Sequence, residues 1–183
     1  MTLKKRNVHP NTGESPPPRF GASAVVVDNQ LWVVGGGWGY DLLRSGGDHD
    51  DVFCLDLATN EWRRPSMLLE CPYSACVGRC HAAALVGDKL LFFGGSLEMS
   101  NSLCWLDIRT QRWGAPNVVG PRPQGRLSAT LTVLGQRVFM FGGWMPGCHE
   151  LGDLHEICCF ETHDASLEWE HAGTQKWCGW VLQ

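Results

Sequence analysis

A chain of 183 residues with 44% apolar and 19% charged side chains has the make-up of an ordinary globular protein and can bury one sizeable core. Its net charge of −4, with a single basic cluster at Lys4, Lys5 and Arg6, offers no field for a phosphate backbone and argues against a nucleic-acid partner. No apolar run approaches the roughly 20 residues that span a bilayer, and nothing after Met1 forms the apolar core of a signal peptide. The expectation is therefore a soluble, membrane-free protein of the cytoplasm, with the nucleus as the alternative.

Nine cysteines, an odd number scattered over strands and loops, suit a reducing compartment better than a disulfide framework. Twenty-two glycines and ten prolines fit many short strands joined by tight turns.

In chain order, residues 1–17 read as a lone outer strand followed by a proline-rich turn. Residues 18–64 form a first unit. It opens with Arg19 and the small residues Gly21, Ala22 and Ser23, and makes a hairpin at Asp28-Asn29, a pair that accepts left-handed turn geometry. Its second strand ends at Gly35-Gly36, a third strand at residues 51–56 ends in Asp56, and a fourth carries Trp62. Residues 65–78 are a connecting loop. The second unit, 79–115, repeats these landmarks as Arg79, Ala82 to Ala84, a turn at Gly87-Asp88, Gly94-Gly95, Asp107 and Trp113. The third, 116–172, repeats them as Arg126, Ser128 to Thr130, a turn at Gly135-Gln136, Gly142-Gly143, a third strand over about residues 154–161 ending in Glu161, and Trp169. Residues 173–183 are a tail.

From arginine to first glycine the three separations are 16, 15 and 16 residues, while the doublets themselves advance by 59 and then 48. The front of the unit is constant and its back carries insertions. Double glycine after an apolar strand, a later tryptophan and a period near 50 resemble the kelch repeat. Ala22 and Ala129 depart from it where a histidine is common, and Glu161 replaces the usual aspartate. The resemblance covers roughly residues 18 to 172. It implies an all-β fold of four-stranded antiparallel propeller blades, three of them present as an incomplete or open ring. Each tryptophan is expected to act as a wedge between blades. The three arginines are expected at one structural position, pinning adjacent blades through carbonyls or carboxylates.

The insertions at residues 37–50, 65–78, 96–101 and 144–152 leave from one end of an alternating-strand blade, so one face should carry them all. Binding residues concentrate on such loops. Trp38, Tyr40, Arg44, Asp48 and His49 from the first loop, Met67 to Leu69 and Tyr73 from the second, Arg79 beside it, and Trp144, Met145 and His149 from the last are the candidate partner-binding set. Aromatic and arginine anchors of this kind suit a protein surface. Arg19, Arg79 or Arg126 could also line a pocket for an acidic or C-terminal peptide group.

Cys71, Cys76, Cys80 and His81, and separately His155, Cys158 and Cys159, lack the paired C-x-x-C spacing of a zinc site, so no metal or cofactor is expected. The kelch-like copper oxidases need a tyrosine beside paired histidines, and only Tyr40 and Tyr73 are available. No nucleophile constellation or phosphate loop is present. The expectation is a non-catalytic module that binds a protein or peptide. The resemblance implies a ubiquitin-ligase substrate receptor as one form of it, although no F-box or BTB domain is visible. A metal-dependent or redox enzyme and a truncated product without independent function are the alternatives. Because closed propellers have four to eight blades, three imply self-association or completion by further blades, with Trp177, Trp180, Val181 and Leu182 covering an open face in their absence.

Overall fold

The computed structural model describes residues 11–39, 46–67, 77–96, 100–145, 147, 150–159 and 166–174, and among them every regular element is a strand. The first sheet joins β1 (Thr12–Gly13), β2 (Ser23–Val27), β3 (Gln30–Val34), β4 (Val52–Asp56) and β5 (Glu61–Arg63) in the order β1-β5-β4-β3-β2. The second is a plain four-stranded meander of β6 (Ala82–Val86), β7 (Lys89–Phe93), β8 (Leu103–Asp107) and β9 (Arg112–Gly114). The third joins β10 (Asn117–Val119), β11 (Thr130–Leu134), β12 (Arg137–Phe141), β13 (Asp153–Cys159) and β14 (Ser166–Thr174) in the order β10-β14-β13-β12-β11. Within each sheet four strands pair antiparallel; β1 and β10 add a parallel fifth strand at the outer edge.

The β2–β3 hairpin turns on Asp28 and Asn29, both at positive φ (48° and 61°), the geometry whose twist matches that of the flanking strands. The acid closing a third strand organises the turn that follows it. Asp56 Oδ1 accepts from the amides of Ala58 and Thr59, and Asp107 Oδ1 from that of Thr110, which forms the turn into the next strand. In the third sheet that register position belongs to Cys158, paired with Arg137 as Asp107 is with Lys89. The acid expected at Glu161 lies outside the described residues, and β13 runs from Asp153 rather than Leu154.

Packing follows the period of two. Leu90 and Phe92 on one face of β7 meet Trp32, Val34, Val52 and Cys54 of the first sheet. Leu91 and Phe93 on the other face meet Val138, Met140 and Ile157 of the third. A strand buried on both faces reads as a continuous apolar run, which is why β7 is KLLFF and not alternating. Trp62, Trp113 and Trp169 occupy one register position, opposite Leu55, Leu106 and Ile157. Trp113 is the expected wedge, 4% exposed in the core between the first two sheets. Trp62 is only half-buried, because the face it shares belongs to the first sheet in the row.

The inner strands lie side by side, and a belt of backbone hydrogen bonds crosses from sheet to sheet at their starts. The amide of Cys80 donates to the carbonyl of Gly21 (2.9 Å), and that of Ser128 donates to Cys80 (2.8 Å). All three residues have positive φ, which turns each chain into its inner strand in the same way. Antiparallel alternation then delivers the β3–β4, β7–β8 and β12–β13 connections, and both sheet-to-sheet connections, to one end. Gly36 N donating to Val77 O, and Gly95 N to Arg126 O, join the sheets there.

Candidate functional site at the loop-bearing end

Two of the three arginines are built alike. Arg19 Nη1 donates to the carbonyl of Gly35 (2.9 Å) and its guanidinium forks onto Asp51; Nε donates to Pro17 O. Arg126 Nη1 donates to Gly142 O (3.0 Å), its fork takes Asp153 with Nη2 2.8 Å from Oδ2, and Nε donates to Gln124 O. Each guanidinium therefore closes its own blade, tying the residues before the inner strand to the end of the second strand. The expectation that these arginines pin adjacent blades does not hold. Burial would raise the Asp153 carboxyl, but Arg126 and His155 outweigh it and hold the group at about 2.

Arg79 is different, and the expected equivalence of the three arginines fails. Phe20 exchanges backbone hydrogen bonds with Gly37, and Leu127 with Trp144; the residue bonded to Ser96 in the second blade is Arg79 itself. Arg79 thus stands where Phe20 and Leu127 stand, one place beyond the arginine position, which Gly78 fills. The carboxylate position of Asp51 and Asp153, at the start of the third strand, is Ser102. Lacking that partner, Arg79 leans across to the first blade. Its Nε donates to Asp48 Oδ1 (2.6 Å), and its guanidinium carbon sits 5.5 Å from the centre of the Phe20 ring. Burial would raise the Asp48 carboxyl, but hydrogen bonds from Ser96 and Arg79 hold it below the ordinary range. Arg79 is fully buried, and its Nη1 has no hydrogen-bond partner among the described residues.

Beside this cluster Trp38 is 56% exposed; it follows Gly37, where an added Cβ would lie 3.0 Å from Arg79 Nε. His49, next to Asp48, donates its amide to Gly36 O and keeps a buried Nε2 without a partner among the described residues. Trp144 and Met145 are half-buried at the corresponding place in the third blade. Tyr40, Arg44, Tyr73 and His149 lie outside the described residues, so the structure brings together Trp38, Asp48, His49 and Arg79 from the expected set. Phe20, Ser23 and Ser96 complete the arrangement without having been singled out by sequence.

His81 bridges two blades: Nδ1–H donates to Gly78 O (2.6 Å) and Nε2 accepts from the Ser23 hydroxyl (2.7 Å). That leaves no free ring nitrogen for a metal. Burial drives its pKa down, against the opposing pull of Gly78 and Asp48. Among the described residues no group of three or more histidine, cysteine, aspartate and glutamate side chains could hold a metal ion; Cys71 and Cys76 lie outside them.

Four-stranded antiparallel blades leaning on one another around a shared inner edge define an open β-propeller. The family description KLHDC2/KLHL20/DRC7 Kelch-repeats domain matches residues 1–143, and the chain belongs to the kelch-repeat family. It is 33% identical over 163 residues to human Kelch domain-containing protein 1, covering 82% of this chain and 37% of that protein. It is 27% identical over 157 residues to Kelch domain-containing protein 3 of Bos taurus (79% and 40%), and 27% identical over 156 residues to human Host cell factor 1 (75% and 7%). The chain thus spans less than half the length of these relatives. Among solved structures, the one described as "Structure of YjhT" superposes with a TM-score of 0.68 at 18% identity, over 87% of this chain and 53% of that one, which speaks to the fold.

Proposed function

We propose that this chain is a non-catalytic module that binds a partner protein or peptide through its loop-bearing end. The observation carrying this reading is Arg79: a buried guanidinium, displaced from the architectural position its counterparts occupy, with Nη1 unpartnered among the described residues and an exposed tryptophan beside it. An unpaired buried donor is costly to leave unmade, and a ligand acceptor that reaches Nη1, for which the groups covering it have to yield, recovers that cost. The fitting group is a carboxylate, from an acidic side chain or a chain terminus, which a guanidinium receives in a charge-assisted hydrogen bond. Trp38 supplies the apolar anchor that such surfaces rely on.

Selection from a displayed peptide library tests this reading. Recovered binders should be rich in acidic residues or depend on a free C-terminus, and Arg79→Met or Trp38→Ala should each weaken them by on the order of tenfold or more. Arg109→Ala, in the exposed β8–β9 turn at the opposite end of the second blade, should leave affinity unchanged. Binders indifferent to both Arg79 and Trp38 would refute the assignment.

A further inference from the structure

The two sheet-to-sheet interfaces are assembled from fixed register positions. The face that a blade turns to its successor carries Val27, Trp32, Val34 and Val52 in the first blade, and Val86, Leu91, Phe93 and Leu103 in the second. The same positions in the third blade are Leu134, Phe139, Phe141 and Leu154. No described sheet covers them, and Leu134 is 65% and Phe141 48% exposed, while Glu156 on the same face is 7% exposed; Trp177, Trp180, Val181 and Leu182, expected over such a face, lie outside the described residues. The opposite face carries Leu85, Leu90, Phe92 and Leu106 in the second blade and Val133, Val138, Met140 and Ile157 in the third. Its counterpart in the first blade is Val26, Leu31, Val33 and Leu55, where Val26 is 56% exposed and Leu55 7%. The two ends of the row are therefore the two halves of one more interface of the same kind. The hydrogen-bond belt has the same polarity, each blade donating to the carbonyl of the one before.

We propose that two copies of this chain associate head to tail, the third blade of each packing on the first blade of the other, to close a two-fold ring. A second copy offers both complementary faces at once, and a heterologous contact used twice closes when the rotation per copy is half a turn. Three blades suit that rotation: the superposition covers 53% of the solved propeller, so the row spans about half a ring, and the doubled array has a blade number within the range of closed propellers.

The third blade's free face is also suited to association between separate chains. Arg137 lies over the Phe139 ring (4.8 Å to its centre) and forks onto Glu156, with Nη2 2.7 Å from Oε2. Glu156 stands where the two internal interfaces have Cys54 and Trp105. Because Arg137 and Glu156 pair with each other, docking leaves neither charge unpaired.

Sedimentation equilibrium of the full chain over a wide concentration range is the test. The wild type should be a dimer that dissociates on dilution, while Leu134→Asp and Val26→Lys should each be monomeric with an unchanged circular dichroism spectrum. Mixing the two variants should restore a dimer, because one interface is then wild type and the other sets lysine against aspartate, the equivalents of Leu134 and Val26 sharing one core in the internal interfaces. Thr132→Arg, on the same exposed face, replaces Leu134→Asp if that variant misfolds. A wild type monomeric throughout, open chains of growing size, a dimer that survives both substitutions, or a mixture that stays monomeric would each overturn the proposal.

Discussion

A guanidinium at position 79 rather than 78 takes a different partner, and stability should register that. Arg126 and Asp153 form a buried, bidentate pair, so Arg126→Met strands a carboxylate and should cost about 3 to 5 kcal/mol in urea denaturation. Arg79→Met removes a group already short of one partner and opposite a carboxylate 26% exposed; it should cost less than about 2 kcal/mol. Equal costs would contradict the difference between the two sites. Acid should act in two steps. The folded-state pKa of His81 lies below 6.5, so the unfolded chain takes up a proton that the native chain refuses, and stability falls as pH drops below about 6.5. Asp48 and Asp153 have folded values below 3.8, so their pairs contribute above that pH, and the contribution is lost as pH falls through 3.8 toward 2. His81→Gln should abolish the upper step of the urea midpoint against pH and leave the lower one.

At the scale of elements, the glycine doublets are where the second strand ends against a neighbour. Gly95 has φ +79°, and a Cβ there would lie 2.7 Å from that of His81 and 2.9 Å from its backbone. Gly87, in the hairpin of the same blade, also has positive φ, +58°, but open space around it. Gly87→Ala should therefore cost only the left-handed penalty of about 1 to 2 kcal/mol. Gly95→Ala should exceed that by about 1 to 3 kcal/mol, because overpacking adds to it. Trp113→Ala should cost about 3 to 5 kcal/mol and Trp62→Ala clearly less, since the first sheet leaves Trp62 half-exposed. Equal losses at the two tryptophans would show that the register position, not the neighbouring sheet, sets their contribution.

For the whole molecule, the second blade alone is packed on both faces by described sheets. Hydrogen exchange on the monomeric Leu134→Asp variant should find the amides of β7 and β8 slowest and those of β2 and β11 faster, since local opening follows buried apolar contact. Uniform protection across the three blades would argue for a single cooperative core. In the wild-type dimer the terminal blades should gain protection.

The repeat, the hairpins and the register of the three tryptophans were legible in the sequence, because turn chemistry and a period of two act over a few residues and leave a pattern each time. The loops at one end followed from strand alternation. The site was legible only in part: Trp38, Asp48, His49 and Arg79 could be singled out, but what Arg79 does could not. Its shift appears in the sequence as a spacing of 15 where the other units have 16, and its meaning depends on Ser102, Asp48 and Phe20, which belong to other strands and another blade. Local order was written along the chain; charge pairing and the open faces were decided by which blade stands beside which, because burial and electrostatics are summed over neighbours in space.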